Sequence, residues 1–306
     1  MSARHEPVLV AEVLRYLCNG PGLYLDATLG DAGHAEALLR AEPGARLLGS
    51  DRDRAALDFA RARLAPYGDR VSVAHATFAE LPAVLAERER LTGALFDLGL
   101  SSRQIDDPER GLSFMHPGPL DLRFDASRGM PASERLAQAS ESEVASVLRV
   151  HGDLREASRI ARALAEAAQS GELVTTQALR AAVDRALGGR PHPRRYAQVF
   201  QALRIWVNGE AEDLDAALAW LPDRMRAGGV VVTLAYHSGE DRRIKQAVRG
   251  IPRATLPRRR PELMERPPEG PWEPSTRHVV TPSQTEKARN PRARSARLRA
   301  FRRKSS

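Results

Sequence analysis

The chain has 306 residues, of which 42% are hydrophobic and 5% aromatic, enough for one large domain or a domain with an insertion. Its many Ala, Leu, Arg and Glu residues favour an α/β or helical protein over a β-sandwich. The one cysteine, Cys18, excludes an internal disulfide and a cysteine-based zinc site, and it indicates a reducing compartment. No apolar run is long enough to cross a bilayer, so we expect a soluble, cytoplasmic protein without a membrane partner.

The positive charge is concentrated at one end of the chain. The net charge is +8, and the segment from Lys287 onward contains nine Lys or Arg residues and no acid. The remainder is therefore close to neutral. Such a segment is typical of a contact for a polyanion such as RNA, although a solvated terminus gives the same pattern.

Short apolar runs alternate with helical patterns over the first hundred residues. A repeating β–α–β order predicts a parallel, doubly wound sheet, and the fold class is therefore α/β with a Rossmann-like sheet. The predicted strands lie at 23–29, 46–51, 71–76 and 94–98, and the sheet resumes at 229–236 with a last strand at 278–281.

A loop and a helical block interrupt the sheet. Residues 99–130 are rich in Gly, Pro, Asp and Ser, and residues 132–221 have a helical periodicity. Thr176 is a plausible N-cap, and Gly188 is suited to end the same helix. We predict a sheet domain in two parts (1–104 and 216–286), a loop and helical insertion (105–215), and a basic tail (287–306).

The first predicted strand leads into a turn that could hold a cofactor. Gly30 and Gly33 permit a sharp turn and a close approach to a ligand, and Asp51 ends the second strand, where a carboxylate can accept both ribose hydroxyls. Asp97 ends the fourth strand. Asp53 is an alternative to Asp51, but its position favours capping the next helix.

Two cofactor classes use such a turn. A nicotinamide enzyme requires Gly-x-Gly-x-x-Gly to place a pyrophosphate on a helix N-terminus, whereas this chain has only Gly30-x-x-Gly33 with Asp31 between them. An acid is badly placed beside a pyrophosphate. It is well placed beside the sulfonium and ammonium groups of S-adenosylmethionine, so the pattern favours that cofactor.

The motifs resemble, in order and over nearly the whole chain, those of the ribosomal small-subunit RNA methyltransferase H family, also called MraW. They include His5-x-Pro7-Val8-Leu9, Asp26-x-Thr28-Leu29-Gly30, Gly33-His34, Asp51-Arg52-Asp53, the run from Phe96 to Asp107, Gly118 to Arg123, Phe200 to Ile205, Asn208, His237-Ser238-x-Glu240-Asp241-Arg242, and Asn290 to Arg299.

This resemblance implies a class I methyltransferase that uses S-adenosylmethionine to methylate the N4 amine of one cytidine in 16S ribosomal RNA. The implied partner is that RNA, within the small ribosomal subunit, and the helical insertion is the implied substrate-recognition domain. Transferred by position, the family's cofactor contacts fall on Ala32, Gly33, His34, Asp51, Phe78, Asp97 and Gln104. From its pattern alone, Phe78 would be a core residue.

Methyl transfer to an amine requires alignment of the reacting groups and an acceptor for the amine hydrogens. Asp97 can serve either the methionine ammonium or the target amine. Asp121 and Arg123 can instead form an ion pair that fixes the long loop, and His237 can be a structural histidine. The candidates for the reacting centre are Asp97, Ser101, Ser102, Asp121, Arg123 and His237, and no residues are assigned to a metal.

Arginines are the expected phosphate contacts. The chain departs from the family pattern at Ala27, Ala32, Tyr236 and Gly239, and has His192-Pro193-Arg194-Arg195 where His-Pro-Ala-Thr is usual. The RNA-binding candidates are Arg194, Arg195, Arg292, Arg294, Arg297 and Arg299, with Arg258-Arg259-Arg260 as a further possibility.

The alternatives are a nicotinamide-dependent oxidoreductase, a non-catalytic ribosome-assembly factor that keeps a methyltransferase fold, and a methyltransferase of another nucleobase. The sequence is compatible with a monomer or a homodimer.

Overall fold

The structure is a computed structural model that describes residues 7–250 and 270–305, apart from the side chain of Ser102. The chain forms two compact units: one contains the residues up to Gly99 and those from Asp213 onward, and the other is Leu100–Glu212. The second unit begins five residues and ends three residues before the insertion predicted from sequence. Its start is earlier because the long loop belongs to it from the first residue.

The first unit is built on a seven-stranded sheet with the strand order β3-β2-β1-β4-β5-β7-β6. Strands β1 to β5 pair in parallel, whereas β7 runs antiparallel to β5 and β6. This arrangement confirms the α/β prediction. The strands are β1 (Gly22–Asp26), β2 (Ala45–Asp51), β3 (Val71–His75), β4 (Leu91–Asp97), β5 (Met225–Ala235), β6 (Trp272–Pro274) and β7 (Arg297–Arg303).

Alternate residues of the central strands fill two separate cores, because successive side chains of a strand point to opposite faces. Val230 and Val232 of β5 join a core with α1, α2 and α3, whereas Val231 joins another with α4, α11 and α12. Burial on both faces explains the unbroken apolar run of β5. These helices are α1 (Val10–Leu17), α2 (Gly33–Ala41), α3 (Arg54–Leu64), α4 (Leu81–Val84), α11 (Glu210–Arg224) and α12 (Ser238–Val248).

The basic C-terminal segment is folded into the sheet, and the prediction of a separate tail over 287–306 was wrong. It forms α13 (Gln284–Arg289), a 3-10 helix at Pro291–Ser295, and β7, which lies between β5 and β6. The predicted strand at 278–281 is reduced to a single bridge between Val280 and Leu298. The physical reason is the apolar content of β7: Leu298, Ala300 and Phe301 are buried among its arginines.

The second unit is helical with a core of its own. Thr175, and not Thr176, is the N-cap of α9, since its side chain accepts a hydrogen bond from the Ala178 amide. The Thr176 hydroxyl instead donates to the His116 carbonyl. Gly188 ends the helix with a φ of 76°, as predicted. The helices are α5 (Ser102–Asp106), α6 (Ala132–Gln138), α7 (Glu141–Gly152), α8 (Ala157–Gln169), α9 (Thr176–Leu187) and α10 (Pro193–Asn208).

The long loop before α6 is an ordered part of this second unit. Leu112, Leu120 and Leu122 are buried in the helical core, although Leu122 has a positive φ of 65°. Asn208 of α10 holds the loop from the other side, because its amide accepts from the Phe124 N–H and donates to the Leu122 carbonyl, both at 2.8 Å. Within the two described ranges, no helix is both long and apolar enough to span a membrane.

Candidate functional site

Three aspartates end three neighbouring strands of the sheet. Asp26 ends β1, Asp51 ends β2 and Asp97 ends β4, with β1 between the other two strands. Because the strands are parallel, all three carboxylates lie at the same edge, where ligands bind in open α/β sheets.

The turn after β1 joins these strand ends. The Thr28 hydroxyl accepts a hydrogen bond from the Asp97 N–H at 2.7 Å, and the Gly30 N–H donates to Asp51 Oδ2 at 2.8 Å. The Asp53 N–H donates to the other Asp51 oxygen at 2.9 Å. Asp53 itself caps α3 through the Ala55 N–H, as its position predicted. Each Asp51 oxygen therefore has one backbone donor and retains a lone pair for a ligand hydroxyl.

The start of α2 is shaped for a close approach. Gly30 has a φ of +48° and Ala32 one of 59°, both in the left-handed region. Among the described residues, no side chain caps α2, and the first N–H groups of a helix need partners such as a ligand or water. Gly33 has a different reason to be glycine, since a Cβ there would lie 2.2 Å from Cγ of Pro7.

The two innermost carboxyls are difficult to ionise. The pKa of Asp26 is raised to about 7, chiefly by burial; His34 and the Thr28 N–H act to lower it, and the nearby Asp97 and Asp51 act with burial to raise it. Burial also raises the pKa of Asp51 to about 6, with Asp53 as the acid that adds to the effect. The positive charge of a cationic ligand would offset both the cost of desolvation and the repulsion between the carboxylates. This edge therefore fits a positively charged cofactor and would repel a pyrophosphate.

Three buried side-chain atoms of His34 and Asp97 have unused hydrogen-bonding capacity, although the Asp97 side chain as a whole is 22% exposed. His34 Nε2 lies 3.6 Å from Asp97 Oδ2, beyond hydrogen-bond range, and the histidine is 8% exposed. Over residues 7–250 and 270–305, neither ring nitrogen of His34 nor Asp97 Oδ1 has a hydrogen-bond partner. Such orphaned polar atoms are costly and mark places where a ligand completes the network. The amino-acid end of S-adenosylmethionine, with its ammonium and carboxylate, offers the required donors and acceptors.

Phe78 follows β3 at the same edge and is only partly buried. Its ring packs edge-to-face on Phe96 with the centroids 5.2 Å apart. Its backbone is fixed from α11, because its N–H donates to Asp213 Oδ2 at 3.0 Å and its carbonyl accepts from Trp220 Nε1 at 3.0 Å. Asp213 also accepts from Arg52, the neighbour of Asp51, at 3.3 Å.

Asp213 and Trp220 were missed by sequence reasoning. Asp213 had been assigned to the helical insertion, and nothing in the sequence pairs it with a residue more than a hundred positions earlier.

His237 has a structural environment. Its Nδ1 accepts from the Gly239 and Glu240 N–H groups as the N-cap of α12, and its Nε2 lies 3.0 Å from Glu240 Oε1. Tyr236, just before it, interacts with Asp97, and a Cβ on Gly99 would lie 2.6 Å from the Tyr236 ring. Burial and then the Asp97 charge raise the pKa of the Tyr236 phenol, so it stays protonated.

The candidates in the second unit also have structural partners. Ser101 and Gln104 form a capping box on α5: the Gln104 N–H donates to the Ser101 hydroxyl, and the Ser101 N–H donates to the Gln104 side chain. Arg123 makes a two-pronged ion pair with Asp121 at 2.7 Å for each contact, and it also donates to the Gly129 carbonyl. This geometry matches the loop-fixing alternative. The side chain of Ser102 lies outside the description.

The six candidate RNA-binding arginines differ in their environments. Arg299 pairs with the buried Asp241 at 2.6 Å, and Arg297 approaches the same carboxylate at 3.7 Å. Arg195 pairs with Glu156 at 3.1 Å. Arg194 and Arg294 are exposed, and Arg292 is partly buried. The run 258–260 lies outside the described residues.

A doubly wound sheet with acids at the ends of its first, second and fourth strands, and no pyrophosphate loop, defines an S-adenosylmethionine-dependent methyltransferase. The comparison with known families agrees: the model of the MraW methylase family matches residues 2–304, and the chain belongs to that family. The chain is thus an enzyme of the methyltransferase class, and the nicotinamide alternative is discarded.

Similar curated proteins are named "Ribosomal RNA small subunit methyltransferase H". That of Sorangium cellulosum is 45% identical, with 98% of this chain and 91% of that protein covered. That of Thermobifida fusca is 42% identical, with 97% and 92% covered. Among solved structures, an rRNA methylase from Streptococcus thermophilus has a TM-score of 0.42 and 10% identity, with 97% of this chain and 94% of that chain covered.

Proposed function

We propose that this enzyme transfers the methyl group of S-adenosylmethionine to the N4 amine of one cytidine in 16S ribosomal RNA, within the small ribosomal subunit and in the cytoplasm. The relatives' shared name supports the choice of small-subunit RNA, and the motif resemblance supports the cytosine amine. The observation that carries the proposal is the set of buried atoms without hydrogen-bond partners in the described part of the chain, the two His34 ring nitrogens and Asp97 Oδ1, at the strand ends that also hold Asp26 and Asp51.

The proposed cofactor site is assembled mainly from the first unit. Asp51 accepts the ribose hydroxyls, Phe78 contacts the adenine, and the uncapped start of α2 with His34 meets the amino-acid end. Gln104 is included because the resemblance places a cofactor contact there. The full proposed set is Ala32, Gly33, His34, Asp51, Phe78, Asp97 and Gln104.

Methyl transfer requires the protein to align the amine with the methyl group and to provide an acceptor for an amine hydrogen. S-adenosylmethionine, when bound, supplies a methyl group activated by its sulfonium. The cytosine amine is a weak nucleophile because its lone pair is delocalised into the ring. A carboxylate that accepts one amine hydrogen localises the lone pair and takes the proton as the N–C bond forms. Among the described residues, Asp97 Oδ1 is a buried carboxylate oxygen without a hydrogen-bond partner at these strand ends, and it serves either that amine or the methionine ammonium.

The remaining candidates have positioning roles in this proposal. Ser101 with Ser102 begins α5, close in sequence to Asp97, while the Asp121–Arg123 ion pair fixes the loop and His237 orders the segment after β5. The target base has to leave its stack to reach a recessed carboxylate, which is easier in a single-stranded or looped region.

Labelled methyl transfer tests the function directly. Small subunits and naked ribosomal RNA from cells without the enzyme are incubated with tritiated S-adenosylmethionine, and the product nucleoside is identified by mass spectrometry. We expect one N4-methylated cytidine. Cofactor binding without transfer to either substrate would support the assembly-factor alternative, and label on another base would change the target.

Asp97→Asn then separates the two roles of this carboxylate. If Asp97 serves the amine, kcat falls by a factor of about 100 or more while cofactor Kd changes little. If it serves the ammonium, the Kd for cofactor rises instead. The control is Asp58→Asn, an exposed acid of α3 whose change should leave both quantities unaltered.

A further inference from the structure

A second, basic cleft lies wholly within the helical unit. It has a volume of about 400 Å³ and is lined by Asp153, Arg155, His192, Arg194, Arg195 and Gln198. These residues come from the end of α7, the segment before α8, and the N-cap and first two turns of α10. None of them belongs to the strand-end site.

Two of the three arginines in the cleft are uncommitted. Arg195 is engaged, since it pairs with Glu156 and donates to Gln198 Oε1 at 3.1 Å. Arg155 and Arg194 are exposed, and within residues 7–250 and 270–305 neither guanidinium has an ion pair, although the exposed Asp153 also lines the cleft. An exposed arginine pair beside a concave surface is suited to a planar or tetrahedral oxyanion.

The backbone of the cleft is already organised. The His192 side chain accepts from the Arg194 N–H at 3.2 Å, and Gln198 Nε2 donates to the Gly152 carbonyl at 2.8 Å. Pro193 brings no N–H of its own to the helix start. The positive end of the α10 dipole adds to the arginine charge, but the direct donors for an anion are the Arg155 and Arg194 side chains.

We propose that this cleft binds a phosphodiester of the ribosomal RNA substrate, held by Arg155 and Arg194, as a docking site separate from the reacting centre. The proposal rests on the proposed RNA substrate. Because both side chains are exposed, they provide affinity and orientation without selecting a sequence.

The test is the salt dependence of RNA binding by the full-length protein. Binding of transcribed small-subunit RNA is titrated by fluorescence anisotropy from low to moderate salt, for the wild type and for Arg155→Gln/Arg194→Gln. Losing two phosphate contacts should weaken low-salt binding about tenfold and reduce the slope of log K against log salt by about 1.4. The control is Arg162→Gln/Arg185→Gln, which removes two exposed arginines outside the cleft.

Several results would overturn the proposal. Equal losses in both double variants would mean that only overall charge matters. An unchanged slope in the cleft variant, with wild-type methyl transfer intact, would reject the cleft and leave the proposed function standing. Inorganic phosphate that stabilises the wild type thermally but not the cleft variant, while both bind RNA equally, would assign the cleft to free phosphate. If no methyl transfer occurs but the slope falls as expected, the cleft stands and the proposed function fails.

Discussion

Asp213 of α11 holds the backbone of Phe78 from 135 positions away, through a 3.0 Å hydrogen bond from the Phe78 N–H to Asp213 Oδ2. The other carboxylate oxygen accepts from the Ala79 N–H at 2.8 Å, and Asp213 is 9% exposed. The same carboxylate contacts Arg52, so one side chain ties together the segments that follow β2 and β3. Both segments belong to the proposed cofactor site.

Asp213→Asn should therefore weaken cofactor binding. The amide retains one acceptor oxygen but directs an N–H₂ at a backbone donor, and hydrogen bonds to a charged group are worth about 1.5–3 kcal/mol. We expect the Kd for S-adenosylmethionine to rise at least about tenfold by calorimetry. Asp215→Asn is the matched control, because Asp215 lies on the same helix and pairs with Arg243. An equal rise in both variants would show that the effect is general loosening of α11.

Asp26 should make the ligand-free protein less stable as pH rises. Its folded pKa of about 7 exceeds the ordinary value of about 3.8, so between these limits the native state binds more protons than the unfolded state. The unfolding free energy therefore falls as pH increases through this window, and Asp51, at about 6, contributes in the same direction. Denaturant unfolding at pH 5 and pH 8 should show a smaller difference for Asp26→Asn than for the wild type.

Cofactor binding should have the opposite pH trend, because the ionised carboxylates attract the cation. Affinity for S-adenosylmethionine should increase between pH 5 and pH 8 in the wild type and less steeply in Asp26→Asn. Proton release on binding, measured calorimetrically in two buffers, checks the linkage. An affinity independent of pH would mean that neither carboxyl changes its ionisation when the ligand binds.

Gly33→Ala should destabilise the fold through Pro7. The added Cβ would lie 2.2 Å from the Pro7 Cγ, and overpacking of this kind costs about 1–3 kcal/mol. Truncation of the ring in Pro7→Ala/Gly33→Ala should recover part of that loss in denaturant unfolding. No recovery in the double variant would show that Gly33 is required by another neighbour or by the cofactor.

Arg299 and Arg294 should behave differently although both were predicted to bind RNA. Arg299→Gln leaves Asp241, 3% exposed, without its closest cation, and breaking a buried pair costs about 3–5 kcal/mol before discounting for the partial exposure of Arg299. We expect a lower Tm with little change in the salt slope of RNA binding. Arg294→Gln, at an exposed position, should leave Tm unchanged and reduce the slope by about 0.7.

The pH dependence of the Arg299 pair has a defined sign. The Asp241 pKa is lowered overall: burial alone would raise it, but the hydrogen bonds from Arg299 and Lys245 outweigh that effect. The stability from this pair is present above the unfolded pKa and is lost as pH falls through the lower folded value. Thermal unfolding of the wild type and Arg299→Gln should therefore converge at acidic pH.

The sequence was informative where one local pattern determined the structure. Apolar runs ending in Asp26, Asp51 and Asp97 predicted both the parallel sheet and the shared edge, because parallel strands place their carboxyl ends together. The assignment of β7 failed because its alternating arginines obscured a buried strand. The apolar residues Leu298 and Phe301 within this run of arginines were the pattern that could have indicated a buried strand.

Contacts between distant segments could not be derived from one sequence. Asp213 looks like any acid in the first turn of a helix, and only the packing of α11 on the sheet brings it to Phe78. Asp121 and Arg123 allowed both a catalytic and a loop-fixing interpretation, because opposite charges two positions apart fit both. The choice between these interpretations depends on where the two side chains point, and in the structure they point toward each other.

The insertion of the helical unit between β4 and β5 has a kinetic consequence. These strands pair in parallel, with Asp97 beside Leu234, across more than a hundred intervening residues that have their own core. Doubling a flexible loop costs only about 0.6 kcal/mol, so the insertion takes little stability from the sheet. Distant pairings form slowly, however, and a folded insert shortens the search between the two strands. The rate at which β4 and β5 pair should therefore depend on how fast the helical unit folds. A mutation in the core of that unit should slow the assembly of the strand ends that hold Asp26, Asp51 and Asp97, although it touches none of them.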